Sequence, residues 1–216
     1  MTNIAGYCFR LAVIGAAACG CGSSNSTTGG AASCGSTAAC GGTVDGTWQL
    51  DSVCTEGDLP AALESTLNFP TECAGAVHSA TMSATGTAAF ANGMQTDNVT
   101  TTIQGTAVVS AACVAAELGS TITLSDTVCA LVQAQISGTT GITSATCSFA
   151  SGNCNCSVTY TSSNPTPKAY TVSGTSITYT NGDAPTDYCV AGSTLTARQL
   201  RVDFGNIYVD STLHKI

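Results

Sequence analysis

Short runs in which apolar and polar side chains alternate cover most of the chain after residue 43. Thr, Val, Ile and aromatic residues, which favour a strand with one buried face, are enriched in eight segments. These segments are 43–53, 77–90, 98–110, 142–150, 154–162, 169–173, 176–180 and 193–202. Alternation is clearest at Tyr170 and Val172 and again at Ile177 and Tyr179. The pattern predicts strands with one buried and one solvated face.

Turn-forming dipeptides separate several of these segments in sequence order. Asn92-Gly93, Ser151-Gly152, Ser173-Gly174 and Asn181-Gly182 are typical of tight hairpin connections. Hairpins that follow one another along the chain predict an antiparallel meander.

Two segments change to helical spacing. Asp58 is a candidate cap for a helix over 59–67 whose leucines share one face, and Pro60 is tolerated in its first turn. Ser125 or Asp126 is a candidate cap for a second helix, with Gly138 at its expected end. We expect this second helix to cover an open edge or end of the sheet.

The first residues have the pattern of an export signal. Arg10 precedes an apolar run over 11–18 that is too short to span a bilayer and ends at Cys19. Residues 19–42 are almost entirely small or polar and predict a flexible tether. The expected division is therefore a signal peptide over 1–18, a tether over 19–42 and one folded domain over 43–216.

The residues Ala16-Ala17-Ala18-Cys19 resemble the lipobox of bacterial lipoproteins. The resemblance implies that Cys19 is lipidated and anchors the protein in the cell envelope of a Gram-negative bacterium. Gly20 lacks the acidic character of an inner-membrane retention signal, which favours the outer membrane. The alternative is an ordinary secretory peptide.

The thirteen cysteines are interpreted from this exported context. An oxidising compartment favours disulfides over metal binding, and neither histidine accompanies the Cys154-Asn155-Cys156 segment. The disulfide candidates are Cys34, Cys40, Cys54, Cys73, Cys113, Cys129, Cys147, Cys154, Cys156 and Cys189.

Only one pairing among the cysteines of the folded domain can be argued from local sequence, and two further pairings are open possibilities. A turn at Ser151-Gly152 places Cys147 opposite Cys156. Cys54 with Cys73 would close a loop, and Cys34 with Cys40 a small local one. If Cys19 carries lipid, one thiol has no intramolecular partner, and Cys21 is the expected one.

Charge and motif content argue against several function classes. The formal net charge is −8 and only 8% of residues are charged, which argues against nucleic acid as a partner. Only His78 and His214 are candidate general bases, and we expect His214 to lie in a mobile terminus. No nucleophile elbow, zinc-protease helix or phosphate-binding loop occurs in the sequence. We therefore expect no catalytic residues, metal or cofactor.

Gly46-Thr47-Trp48 matches the G-x-W pattern of lipocalin-like barrels, and the predicted meander follows it. The segments 170–178 and 188–196 also resemble the closing strands of cysteine-rich, lipocalin-like bacterial lipoproteins. The resemblance covers about residues 43–201 and implies a barrel of about eight strands. It also implies that an arginine, here Arg198, packs over the structural Trp48.

Two functions remain open at this point. A barrel of this size holds one small ligand, which the resemblance implies is hydrophobic. The alternative is a structural or protein-interaction lipoprotein with a packed interior. A cavity of a few hundred cubic ångströms lined by residues such as Leu50, Met82, Ile103 and Val172 would favour binding.

Overall fold

The computed structural model describes Cys34 and residues 38–119, 121–163, 165–202 and 205–216. The signal segment 1–18, Cys19 and Cys21 lie outside the described residues. The described chain is mainly β-sheet, as predicted, with three short helices. Its strands are β1 (Gly46–Glu56), β2 (Val77–Ala91), β3 (Met94–Val109), β4 (Ile142–Ala150), β5 (Asn153–Ser163), β6 (Lys168–Ser173), β7 (Ser176–Tyr179), β8 (Thr186–Ala191), β9 (Thr194–Arg201) and β10 (Ile207–Lys215). The helices are α1 (Leu59–Thr66), α2 (Ala111–Leu118) and α3 (Asp126–Ser137), and a single 3₁₀ turn spans Thr71–Cys73.

Eight strands form a closed antiparallel ring. Their order is β1-β2-β3-β6-β7-β8-β9-β10, with β10 returning to β1. Each strand pairs with the next along the chain except at the step from β3 to β6, so the predicted antiparallel meander is confirmed. That step contains an insertion of α2, α3 and the β4–β5 hairpin, and β5 pairs with the second half of β3. The insertion extends the sheet away from the ring.

Two groups of buried side chains form separate cores. The first, the ring core, lies inside the ring and consists of Val44, Trp48, Ala88, Phe90, Tyr170, Ile177, Tyr179, Tyr188, Leu195 and Leu213. The second, the helix-side core, packs the three helices against β2, β3 and β5 and includes Leu63, Ile103, Val109, Cys129 and Val158. β2 and β10 contribute to both cores, since Val77 and Ile207 belong to the second.

The helix ends follow the predicted capping. Asp58 accepts a hydrogen bond from Ala61 N at 3.0 Å, and Ser125 accepts one from Val128 N at 3.4 Å. Gly138 is the C-terminal cap of α3. Helix α2 was not predicted; Ser110 caps it by accepting from Cys113 N at 3.2 Å.

Helix α3 covers the outer edge of β4, the last strand of the extended sheet. Gln133 accepts a hydrogen bond from Cys147 N at 2.9 Å, and Asp126 accepts one from Phe149 N at 3.3 Å. Alternate amides of an edge strand point outward and would otherwise be free to pair with another chain. The predicted role of this helix at a sheet edge is therefore confirmed.

Five disulfides join all ten candidate cysteines. They are Cys34–Cys54, Cys40–Cys189, Cys73–Cys113, Cys129–Cys154 and Cys147–Cys156. The hairpin bridge Cys147–Cys156 is confirmed. The local pairs Cys34–Cys40 and Cys54–Cys73 are wrong, because tertiary packing brings each of these cysteines to a partner from a different part of the chain.

The segment immediately before β1 packs on the ring rather than hanging free. Cys40 N and Gly41 N both donate to Tyr188 O, at 3.1 and 3.0 Å, and Val190 N donates to Gly41 O at 2.8 Å. The Tyr188 hydroxyl donates to Gly42 O at 2.8 Å. The folded domain therefore begins before residue 43, inside the segment predicted to be a tether.

Candidate ligand cavity

The ring encloses a cavity because two of its strand pairings are short. β1 pairs with β2 only over Gly46–Gln49, and β3 pairs with β6 only at Met94 and Gln95. Gly86, at the point where β2 leaves β1, has a φ of 128°, and a Cβ there would collide with the Asn98 carbonyl. Beyond these points the strands diverge and leave a cavity of about 400 Å³ that is partly open to solvent. This volume lies in the range of small-molecule sites.

Apolar side chains of the ring core form part of the cavity wall. The wall residues that also belong to the ring core are Ala88, Phe90, Ile177, Tyr179, Leu195 and Leu213. Leu50 and Met82 line the cavity, as expected. Ile103 does not, because it is buried in the helix-side core. Val172 does not line the cavity either, and it is 45% exposed. It lies on the part of β6 beyond Lys168 and Ala169, the two residues that pair with β3.

Trp48 belongs to the ring core and is fully buried. Its Nε1 donates to Val44 O at 2.7 Å, and Lys215 Nζ lies 5.4 Å from the ring centroid. Lys215 is the cross-strand neighbour of Trp48 on β10, so the two side chains share a face. The structure confirms a buried Trp48, and the cation over it is Lys215 rather than the expected Arg198.

Arg198 instead belongs to an ion-pair network elsewhere on the ring. Its guanidinium stacks over Tyr208 at 4.4 Å from the ring centroid and pairs with Glu56 and, at 3.3 Å, with Asp210. The hydrogen bond with Glu56 raises the pKa of Arg198. Burial raises the pKa of Asp210 despite the opposing charge of Arg198. The predicted contact between Arg198 and Trp48 is therefore wrong. Ala197 and Gln199, the two neighbours of Arg198 on β9, line the cavity, whereas Arg198 does not.

Charged side chains gather at the mouth of the cavity. Asp97, Lys168, Asp183 and Arg201 all contribute to its lining, so two of the five basic residues of the chain lie here. Lys168 Nζ lies 2.9 Å from Asp183 Oδ2. Burial raises the pKa of Asp183, but the hydrogen bonds with Lys168 and Asn181 and the charges of Lys168 and Arg201 together outweigh burial and hold this pKa below its usual value. The mouth therefore carries paired opposite charges.

A hydrogen-bonded chain runs along one wall between the mouth and the interior. Gln95 Nε2 donates to Asp97 Oδ1 at 2.6 Å, which orients the amide so that Gln95 Oε1 accepts from the Tyr179 hydroxyl at 2.7 Å. Burial raises the pKa of Tyr179 to about 12. Tyr179 is therefore a neutral phenol at physiological pH, and its hydroxyl donates its hydrogen bond to Gln95 Oε1.

Thr186 is the polar residue that the sequence did not single out. It lines the cavity with only 6% of its surface exposed, and its Oγ1 has no protein group in hydrogen-bond geometry. The hydroxyl lies close enough to Tyr179 to oppose the rise of the phenol pKa, although the two oxygens do not form a geometrically acceptable hydrogen bond. Threonine is abundant on both faces of these strands, so no sequence signal distinguishes this one.

The two histidines do not come together with other catalytic groups. His214 is in β10, not in a mobile end, and its Nδ1 lies 2.6 Å from Asp51 Oδ1. His78 is an exposed residue of β2. Among the described residues, no group of three or more His, Cys, Asp or Glu side chains is arranged to hold a metal ion.

No protein-family model, curated protein or solved structure matches this chain. Within the described part of the chain, no helix has the length and apolar character needed to cross a membrane.

Proposed function

We propose that this protein is an exported, lipid-anchored domain that binds one small hydrophobic ligand inside its strand ring. The observation that carries the proposal is the cavity of about 400 Å³, whose interior is lined by ring-core side chains such as Phe90, Ile177 and Leu195. Burial of apolar ligand surface there is worth about 25 cal/mol per Å². The paired charges keep the mouth hydrated, while the apolar part of a ligand would lie against the ring-core side chains inside.

The cavity also favours this proposal over the alternative of a structural lipoprotein with a packed interior. Packed protein interiors contain few voids larger than a water molecule. A cavity of about 400 Å³ that opens to solvent and is lined in part by ring-core side chains therefore supports ligand binding.

Native mass spectrometry of the purified protein with a broad lipid panel tests ligand binding. We expect a one-to-one adduct that is lost in Ala197→Phe, because Ala197 lines the cavity between Tyr188 and Ser211 on the neighbouring strands. Ala191→Phe is the matched control, since Ala191 is exposed at the end of β8. If no lipid binds the wild-type protein, or if both variants lose binding equally, a cavity ligand is excluded.

Anchoring through Cys19 has a separate test. We expect the protein in the outer-membrane fraction of a Gram-negative host, and we expect Cys19→Ser to release it while Cys21→Ser does not. Stable attachment requires more than one acyl chain, which diacylation supplies. Membrane retention of the Cys19→Ser protein would overturn lipidation at this residue without affecting the binding proposal.

A further inference from the structure

The Thr186 hydroxyl is held in the cavity wall by regular strand pairing. Thr186 lies on β8 opposite Ile177 of β7 and Gln199 of β9, and all three side chains line the cavity. Cross-strand neighbours share a face of the sheet, so the pairing directs this side chain inward.

A buried hydroxyl without a partner is unfavourable, and buried polar side chains in proteins are nearly always hydrogen-bonded. The protein groups nearby do not supply the bond. Tyr179 donates its proton to Gln95 and the Gln199 amide nitrogen donates to Ala184 O at 3.0 Å, and neither the Tyr179 nor the Gln199 side-chain oxygen meets Thr186 Oγ1 in hydrogen-bond geometry. Valine has the same shape and would fill this position without leaving a hydroxyl unpaired. The threonine therefore points to a hydrogen-bonding group on a bound molecule.

The surroundings of Thr186 also limit the charge of that group. Phe90, Ile177 and Leu195 form the inner wall, whereas the charged groups lie at the mouth, where Lys168 already pairs with Asp183. The charged groups near Tyr179 are already engaged, since Lys168, 5.8 Å from the Tyr179 ring centroid, pairs with Asp183 and Asp97 accepts from Gln95. An ion that reached Thr186 would have to lose its hydration and compete with these pairs, which is unfavourable. A neutral hydroxyl or carbonyl loses much less.

We propose that the cavity selects an uncharged apolar molecule carrying a hydroxyl or carbonyl group, which hydrogen-bonds to Thr186 Oγ1 in the interior. This inference rests on the proposed function and specifies the class of ligand. The Thr186 hydroxyl serves as donor or acceptor, so it accommodates either group.

The test uses three probes that share one ring system: naphthalene, 2-naphthol and 2-naphthoate. Their affinities for the full chain, purified with its disulfides intact, are measured at pH 7 by equilibrium dialysis with fluorescence detection. We expect 2-naphthol to bind about fivefold or more tightly than naphthalene, as expected for one additional net hydrogen bond. We expect 2-naphthoate to bind more weakly than either.

Variants at Thr186 assign the preference to its hydroxyl. Thr186→Val is expected to abolish the preference for 2-naphthol while keeping naphthalene affinity, and Thr186→Ser is expected to retain the preference. Thr178→Val is the matched control, because Thr178 is exposed on β7. Circular dichroism confirms that each variant is folded.

The outcomes separate this inference from the proposed function. Equal binding of naphthalene and 2-naphthol, tighter binding of 2-naphthoate, or a preference that persists in Thr186→Val would overturn the inference and leave a hydrophobic cavity site standing. If none of the probes binds and the lipid panel also gives no adduct, both proposals are wrong.

Discussion

The Cys40–Cys189 disulfide provides a quantitative test of how the N-terminal segment stabilises the ring. It links residues 149 positions apart, the longest separation among the five described bridges. The perturbation is the double variant Cys40→Ala/Cys189→Ala. The matched control is Cys147→Ala/Cys156→Ala, which removes a bridge between residues 9 positions apart.

The expected loss follows from loop closure in the unfolded chain. With the separation of 149 positions, the chain-entropy relation gives about 5 kcal/mol for the longer loop. Three other bridges, Cys73–Cys113, Cys129–Cys154 and Cys147–Cys156, lie inside this loop, and the first two shorten its effective path the most. Because the dependence is logarithmic, the figure falls only to about 4.6 kcal/mol.

The control loop closes over 9 positions, for which the same relation gives about 2.6 kcal/mol. The difference between the two double variants is therefore expected to be about 2 kcal/mol. Urea unfolding without reductant, followed by far-UV circular dichroism, measures it. Equal losses, or a larger loss in the control, would refute loop closure as the source of stabilisation and assign it to local contacts around each bridge.

Three further predictions concern single side chains. Because burial raises the pKa of Tyr179 to about 12, the folded state favours the neutral phenol. The stability that comes from keeping this phenol neutral is fully present below the unfolded pKa of about 10. As the pH rises from 10 toward 12, the free energy of unfolding falls by up to about 3 kcal/mol. Tyr179→Phe should flatten this alkaline loss in urea titrations, and an unchanged slope would contradict the assignment. Gln133→Leu should lower the free energy of unfolding by about 1 kcal/mol, because the Cys147 amide at the β4 edge loses its hydrogen-bond acceptor. The freed edge should also promote self-association, which light scattering measures. Gln135→Leu, at an exposed position on the same helix, is the control and should have neither effect. Thr186→Val should stabilise the ligand-free protein by about 1 kcal/mol in thermal unfolding, and a destabilised variant would show that the hydroxyl has a protein partner.

Local patterns in the sequence were sufficient to predict most of the ring. Period-two alternation, turn dipeptides and helix caps depend on neighbouring residues, so β6, β7 and the α3 boundaries agree with expectation. β8 is not among the eight predicted segments, and residues 188–196 were included only in the family resemblance. β10 was not predicted because Asp210 and His214 interrupt its apolar pattern. The structure pairs these residues with Arg198 and Asp51, contacts that only the folded ring creates.

Contacts between residues far apart in the sequence could not be predicted, because they depend on the packed fold rather than on neighbouring residues. Cys40 reaches Cys189 only because the N-terminal segment packs beside β8. The importance of Thr186 depends on the absence of a protein partner for its hydroxyl, which is a property of the packed wall rather than of any motif. The cavity itself results from where strand pairings stop, and a pattern of strands does not contain that information.

The passage of β2 and β10 through both cores bears on how the molecule unfolds. Val77 and Phe90 lie on one continuous strand but in different cores, and so do Ile207 and Leu213. Neither core can lose its packing without withdrawing two strands from the other. The inserted hairpin and the ring therefore form one cooperative unit, in which amide protons of both cores exchange with solvent through the same global opening rather than through independent local ones.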